Sequence, residues 1–248
     1  TRRVKVGQMV TCNGYRNPAL LAKMASTVDV ASHGRLYFGL GAGWYEHEWR
    51  AYGYGFPETR VRMGMFREAC AIIHAMWTQD YPQFEGKYYQ IDRPINEPKG
   101  VRKPHPSFWI GGGGEKVTLR LVAQYGNACN LVSTDPRVVQ HKLEVLRQHC
   151  EELGRDYDEI IKSSEIVVYL TDKPRDHEDV QRALSTQTPD FQERAVVGRP
   201  EQVVEWIKPF VDVGINYFVV YLIRSAYETE QLHRFAEEVI PHFPAWRG

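Results

Sequence analysis

Residues 104–130, PHPSFWIGGGGEKVTLRLVAQYGNACN, hold a short apolar run, four consecutive glycines, a stretch of helical period and a second apolar run. Residues 108–110 (FWI) have the aromatic and β-branched character of a strand, residues 116–125 repeat apolar side chains at helical spacing, and residues 128–132 (ACNLV) read as strand again. A strand, a helix and a strand in such quick succession make a crossover unit, so the two strands run parallel.

The same alternation extends in both directions. Residues 4–10 (VKVGQMV), 36–40 (LYFGL), 165–170 (EIVVYL) and 217–222 (YFVVYL) read as further strands. Helical period marks residues 18–31, with Leu20, Leu21, Met24 and Val28 as its apolar positions, and residues 62–77, with Phe66, Ala69, Cys70, Ile73 and Trp77. Helices are also expected at 137–153, 200–213 and 228–243. Asn17-Pro18, Asp135-Pro136 and Arg199-Pro200 each put proline at a first helical position. The strands are short and apolar rather than alternating, as in a parallel sheet covered by helices. The fold class is therefore α/β, as a doubly wound sheet or a (β/α) barrel, and the length suits one domain with a substantial core or two small ones. Residues 78–106 form an insertion in which YPQFEGKYYQI turns back at Glu85-Gly86 like a hairpin. Residues 171–197 are polar, contain Lys173-Pro174 and Thr188-Pro189, and read as a flexible loop or lid.

Composition narrows the partners. With 31 basic and 31 acidic residues the formal charge is zero, so neither nucleic acid nor a membrane surface is held by charge. The apolar stretches are too short to span a bilayer. Cys12, Cys70, Cys129 and Cys150 are scattered, without a CxxC pair or a disulfide framework. This suits a reduced, cytoplasmic setting, as does the absence of a secretory leader pattern.

Three stretches could carry chemistry. Gly111, Gly112, Gly113 and Gly114, with Glu115 after them, lie between a strand and a helix start, where backbone N–H groups and the helix dipole favour an anion. The run lacks the last glycine of GxGxxG, and no GxxxxGK[ST] is present. One or two glycines could be explained by a tight turn alone; four in a row favour a ligand close to the backbone. FGLGAGWYEHEW, residues 38–49, closes the 36–40 strand and passes its carboxyl end, the face where (β/α) enzymes bind substrates. Within it His47 and Glu48 suggest HExxH zinc chemistry, but Ala51 stands where the second histidine would be, and no metal is expected. Trp44 suits either a wall for a planar ring or the core. Glu46 and His47 are either solvated loop residues or proton donors. In the third stretch, residues 9–24, Cys12 is better read as a small buried thiol than as a nucleophile, since nothing marks a base beside it.

These stretches, in order, resemble the bacterial luciferase-like family of flavin- and deazaflavin F420-dependent oxidoreductases. The matching pieces are GQMVTCNGYRNPALLAKMASTVDVASHGRLYFGLGAGWYEHEWRAYG (7–53), FEGKYYQI (84–91), residues 104–130 and VGRPEQVVEWIKPFVDVGINYFVVYL (197–222). Among the family's members the chain looks most similar to the F420-dependent branch. The resemblance implies a single TIM (β/α)8 barrel domain over residues 1–248, N-terminally incomplete, with an insertion beside its mouth, and a cofactor, F420 or alternatively FMN, at the carboxyl ends of the strands. It implies that Gly111–Gly114 and Glu115 hold the cofactor phosphate, that Gly41, Ala42, Gly43 and Trp44 line the cofactor, and that Met9, Val10 and Thr11 contribute a bulge with a non-proline cis peptide at Met9-Val10. In the family the first matched motif belongs to the third strand. Two βα units, at roughly 30 residues each, are therefore expected before Thr1.

The implied activity is hydride transfer between F420 and a small organic substrate, with Glu46 and His47 as candidates for proton transfer and Tyr221 and Arg224 as further polar candidates. The alternatives are an FMN-dependent monooxygenase and a non-catalytic flavin- or F420-binding protein. A homo-oligomer, in particular a dimer, is implied by family habit and by an open sheet edge.

Overall fold

The computed structural model describes residues 1–243. Contacts divide the chain into two compact units, Thr1–Cys129 with Val145–Ile160, and Asn130–Glu144 with the chain from Ile161 on.

The first unit runs β1 (Val6–Gly7), β2 (Thr11–Cys12), α1 (Pro18–Ala31), β3 (Leu36–Gly41), α2 (Glu46–Ala51), α3 (Thr59–Thr78), β4 (Gln83–Glu85), β5 (Gln90–Asp92), β6 (Ser107–Gly111) and α4 (Thr118–Tyr125). β7 (Ala128–Leu131) and α5 (Pro136–Leu153) pass from one unit to the other. β3 is the central strand. On one side it pairs in parallel with β6, from Tyr37↔Ser107 to Leu40↔Ile110. On the other it takes both β1, at Val6↔Leu36, and β2, at Thr11↔Leu40. The single strand expected at 4–10 is thus two short pieces, and the chain between them leaves the ladder where the Gln8 carbonyl presses on Gly39.

α1 starts where the sequence places it. Pro18 is at the first helical position, and Asn17 Oδ1 accepts from the Ala19 and Leu20 N–H groups at 2.9 and 3.4 Å. Its phase differs from the expectation, however. Leu21, Ala22, Ala25, Ser26 and Asp29 are buried, whereas Leu20, Met24 and Val28 are exposed. The small residues face inward because α1 lies against α3, whose Trp77 is buried and donates from Nε1 to the Ala22 carbonyl at 3.1 Å. A bulky side chain at position 22 or 25 would displace that indole.

The expected hairpin is present as antiparallel β4 and β5, with Phe84 opposite Ile91. It is held by α3. The Glu68 carboxylate accepts from the N–H groups of Lys87, Tyr88 and Tyr89 at 2.8, 2.8 and 3.0 Å, and Gly86 leaves the room that this carboxylate fills.

The second unit contains β8 (Ile161–Leu170), α6 (Pro174–Leu184), α7 (Pro189–Glu193), β9 (Ala195–Gly198), α8 (Pro200–Asp212), β10 (Tyr217–Leu222) and α9 (Glu230–Arg234), followed by one π turn and one 3-10 turn. β8 pairs in parallel with β10 and with β9. Ile166, Val168 and Leu170 of β8 meet Val203, Val204 and Ile207 of α8 in the core. The flexible loop or lid expected at 171–197 is instead two helices and a strand. The prolines that suggested a loop sit at first helical positions, and Thr188 caps α7 by accepting the Phe191 N–H at 3.4 Å. Among the described residues of α6, Val180 and Leu184 reach the apolar cluster around Tyr169.

The phase of α1 gives a direct test. Leu21→Ala is expected to destabilise the fold by about 2–5 kcal/mol, and Leu20→Ala by no more than about 0.5 kcal/mol, in urea unfolding followed by circular dichroism. Equal losses would refute the phase described.

Candidate functional site

The site of the first unit is built where β2, β3 and β6 end. The Met9-Val10 peptide is cis, and the Val10 side chain lies over β3 and β6. A Cβ at Gly41 would stand 2.7 Å from Val10 Cγ2, and one at Gly111 would stand 2.9 Å from Val10 Cγ1. Gly39 is closed in the same way by the Gln8 carbonyl and by Val10. Two glycines on two strands are therefore matched to one isopropyl group, and Gly39 chiefly to the Gln8 carbonyl beside it. Met9, Val10, Gly41 and Gly111, which the sequence separates widely, come together here.

The four-glycine run consequently serves more than one purpose. Gly111 is small because of Val10. Gly112 has φ +115°, which L side chains rarely adopt. Gly114 faces the Thr118 hydroxyl, 3.0 Å from an added Cβ, and its carbonyl accepts the Leu119 N–H at 3.0 Å. Gly112 and Gly114 are exposed, with Gly113 and Glu115 half-buried between and after them. The Glu115 carbonyl meets His149 Nε2 at 2.8 Å, which pins the loop to α5. α4 follows, and its N-cap residue, Val117, offers no side-chain acceptor to the first-turn N–H groups. An open glycine turn leading into an uncapped helix start suits an anion such as a phosphate.

Next to β3 the chain makes a polar and aromatic brace. Thr11 is buried at the end of β2. Gly43, at φ +80°, has Cys12 Sγ and Trp49 Nε1 against its α-carbon, the latter 2.8 Å from an added Cβ. Its carbonyl accepts from Arg62 Nη1, and the Arg62 guanidinium lies 4.2 Å from the centre of the Phe56 ring. The Tyr15 hydroxyl donates to Glu48 Oε2 at 2.7 Å, while its ring stacks on Tyr54 at 4.9 Å and meets Trp49 edge-on at 5.3 Å. Burial, and then the bond to Glu48, push the Tyr15 phenol up, so it stays protonated and donating. Burial also pushes the Cys12 thiol up, against the opposing effect of hydrogen bonds from Gly14 and Tyr15. Cys12 is thus a neutral, half-buried thiol, in keeping with the sequence reading.

Asn13 is buried, with its Nδ2 3.5 Å from the Tyr89 hydroxyl of the hairpin loop. Asn13 Oδ1 and Trp49 Nε1 have no partner among the described residues, and such groups are places for an ordered water or a ligand atom. Sequence reasoning missed Asn13, Tyr15, Trp49, Arg62 and Tyr89, and weighed Glu48 only for zinc chemistry. The only signal for them was position, since Tyr15 and Glu48 each fall a few residues beyond a strand end.

The remaining candidates lie further out. Ala42 is half-buried, and Trp44 is 74% exposed, 5.4 Å from the Tyr45 ring; the indole belongs to the surface and not to the core. Glu46 and His47 open α2 and are exposed, with Glu46 paired to Arg50 at 2.6 Å. Among the described residues no cluster of His, Cys, Asp or Glu could hold a metal ion, and no helix is long and apolar enough to cross a membrane.

Parallel strands whose glycine-rich carboxyl ends gather around one site define a (β/α) protein of the cofactor-binding kind. The sequence pattern of the luciferase-like monooxygenase family matches residues 1–195, and the chain belongs to that family. It is similar to the F420-dependent glucose-6-phosphate dehydrogenase of Amycolatopsis mediterranei, at 25% identity over 99% of this chain and 81% of that protein. It is also similar to the phthiodiolone/phenolphthiodiolone dimycocerosates ketoreductase of Mycobacterium kansasii, at 26% identity over 100% and 79%. Among solved structures, an F420-dependent secondary alcohol dehydrogenase in complex with an F420–acetone adduct superposes with a TM-score of 0.82 at 20% identity, covering 99% of this chain and 81% of that one. The fold is the family's TIM-barrel type.

The packing of Val10 is testable by a double-mutant cycle. Gly41→Ala is expected to destabilise by about 1–3 kcal/mol through overpacking, and Val10→Ala in the same chain should recover more than about 0.5 kcal/mol of that loss. Strict additivity of the two changes in denaturant unfolding would show that Val10 is not what Gly41 accommodates.

Proposed function

We propose that the chain is an F420-dependent oxidoreductase that transfers hydride between the deazaflavin and a small organic substrate. The observation that carries this reading is the convergence of the Val10 side chain with Gly41 and Gly111 at the carboxyl ends of β3 and β6, beside an open glycine turn at an uncapped helix start. Relatives whose names state F420 dependence, from Amycolatopsis mediterranei and Kineococcus radiotolerans, support the choice of cofactor. Similarity to the monooxygenase RslO1 from Streptomyces bottropensis, at a TM-score of 0.81 and 22% identity, keeps an FMN-dependent monooxygenase as the second reading.

In this reading the backbone N–H groups of Gly112, Gly113, Gly114 and Glu115 hold the cofactor phosphate. Met9, Val10 and Thr11 back its ring, and Gly41, Ala42, Gly43 and Trp44 line it. A bound deazaflavin supplies a ring carbon that gives or takes a hydride. The chain's own residues then position the substrate and handle one proton. Glu46 and His47 are the proposed proton carriers, and of the two Glu46 is already engaged by Arg50.

Separate fluorescence titrations with F420 and FMN test this reading. F420 is expected to bind and FMN to bind more weakly, and Gly112→Ala, strained at φ +115°, should weaken F420 binding by at least about tenfold. Failure of both cofactors to bind would sink the enzyme reading and the binding-protein reading together; binding without turnover across alcohols, aldehydes and ketones would leave a non-catalytic F420 protein. Where turnover is found, Glu46→Gln and His47→Gln should lower kcat by about 10²–10⁴, and unchanged kcat in both would remove these residues from proton transfer.

A homodimer in a reduced, cytoplasmic setting belongs to the same proposal. The exposed stripe Leu20, Met24 and Val28 on α1 favours self-association, and four free cysteines favour the reduced setting. Light scattering should report twice the chain mass; a monomer at micromolar concentration would rule the dimer out.

A further inference from the structure

The second unit holds a cavity of about 600 Å³, which takes in Arg224 but none of the residues proposed to hold the cofactor. It opens at the carboxyl ends of β8 and β10, lined by Tyr169 and Leu170, by the following residues Thr171–Lys173, and by the segment from Arg224 to Arg234. Its volume lies within the roughly 300–1,000 Å³ of small-molecule sites.

The walls are fixed by hydrogen bonds. The Gln231 side chain accepts the Leu170 N–H at 2.8 Å and donates to the Leu170 carbonyl at 2.9 Å, so it caps the end of β8 as a neighbouring strand would. Glu228 accepts from the Tyr169 hydroxyl on one oxygen, at 3.1 Å, and pairs with Arg224 Nε through the other, at 2.7 Å. Arg234 is held by Asp172 at 3.0 Å and by Glu238. Arg224 stands at φ +64°, a conformation uncommon for a residue with a side chain, and its carbonyl accepts the N–H groups of Tyr227 and Glu228 at 2.8 and 2.9 Å. Backbone held in this region by its surroundings is a feature of ligand clamps.

Charge decides which ligand suits these walls. The lining cations Lys173, Arg224 and Arg234 are balanced by Asp172, Glu228 and Glu230, and two of the cations are already paired. A phosphate would find no net positive field. An apolar ligand would strip water from charged groups without replacing their hydrogen bonds. A molecule carrying several hydroxyl groups can both donate to carboxylates and accept from guanidinium and ammonium groups. Tyr227, 90% exposed at the rim, adds an aromatic face for the C–H side of such a ring.

We infer that this cavity is a binding site for a neutral, hydroxyl-rich small molecule, of the class of sugars and cyclic polyols. The site rests on residues of the second unit alone and takes in Arg224 from the sequence candidates, so the polyol probes test it separately from the F420 and FMN titrations that test the cofactor reading.

Saturation-transfer NMR and calorimetry on the full chain, with D-glucose, myo-inositol, inorganic phosphate and cyclohexanol as probes, test it. Saturation transfer is expected to at least one of the two polyols, with neither phosphate nor cyclohexanol displacing it. Tyr227→Ala should weaken polyol binding by roughly tenfold at an unchanged melting temperature, and Glu228→Gln, which frees Arg224 and Tyr169, should weaken it further. Should Glu228→Gln melt early, Tyr227→Ala alone decides. No transfer to either polyol, displacement by phosphate or cyclohexanol, or full binding by Tyr227→Ala would overturn the inference.

Discussion

One isopropyl group organises the candidate site. Val10 occupies the space that side chains at Gly41 and Gly111 would take and, with the Gln8 carbonyl, the space at Gly39, so the chain entering β2 packs directly against β3 and β6. Interiors are packed so closely that a single added methyl group is felt, and here three neighbouring positions are left without one. The consequence reaches the loops. With Gly41 and Gly111 tied to Val10, the residues that follow, Ala42 to Trp44 and Gly112 to Glu115, leave their strands from fixed points and form the rim where a ligand can be held.

The rim is braced from outside by groups that bond and stack on one another. Tyr15 bonds Glu48, Arg62 bonds the Gly43 carbonyl, and the aromatic rings of Tyr15, Trp49 and Tyr54 fill the space between. Glu68 performs a similar task for the hairpin by gathering three backbone N–H groups, a charge-assisted arrangement stronger than neutral hydrogen bonds. Through it Tyr89 reaches Asn13 at the end of β2. The insertion is thus connected to the site by hydrogen bonds and not by proximity in sequence.

Much of this fold was legible in the sequence because the signals were local. Asn17-Pro18 marks the start of α1 to the residue, residues 217–222 are β10, and the strand and helix of 108–125 differ from β6 and α4 only at their ends. The family resemblance located the cis peptide at Met9-Val10, where it is found. What failed depended on tertiary packing. The apolar residues Leu20, Met24 and Val28 form a convincing helical stripe, yet Trp77 demands the small face of Ala22 and Ala25 instead. The glycines of β3 and β6 look like space for a ligand, and only the position of Val10 reveals that part of that space is already filled. Residues 171–197 look like a loop because their sequence is polar and carries two prolines, so hydrophobic periodicity has little to report.

The two units hold their loops by opposite means. In the first, glycine removes side chains so that backbone can approach backbone, and the polar capacity left over consists of main-chain N–H groups, which suit an anion. In the second, the end of β8 is held by side chains, with Gln231 completing the backbone hydrogen bonds of Leu170 and Glu228 joining Tyr169 to Arg224. A wall of balanced side-chain charges does not attract an anion, but it offers donors and acceptors at fixed positions. A glycine run in sequence announces the first kind of site because the residue type is rare in strands and helices. The second kind uses residues common on any surface, so only their mutual bonding in the folded chain distinguishes it from an ordinary polar loop.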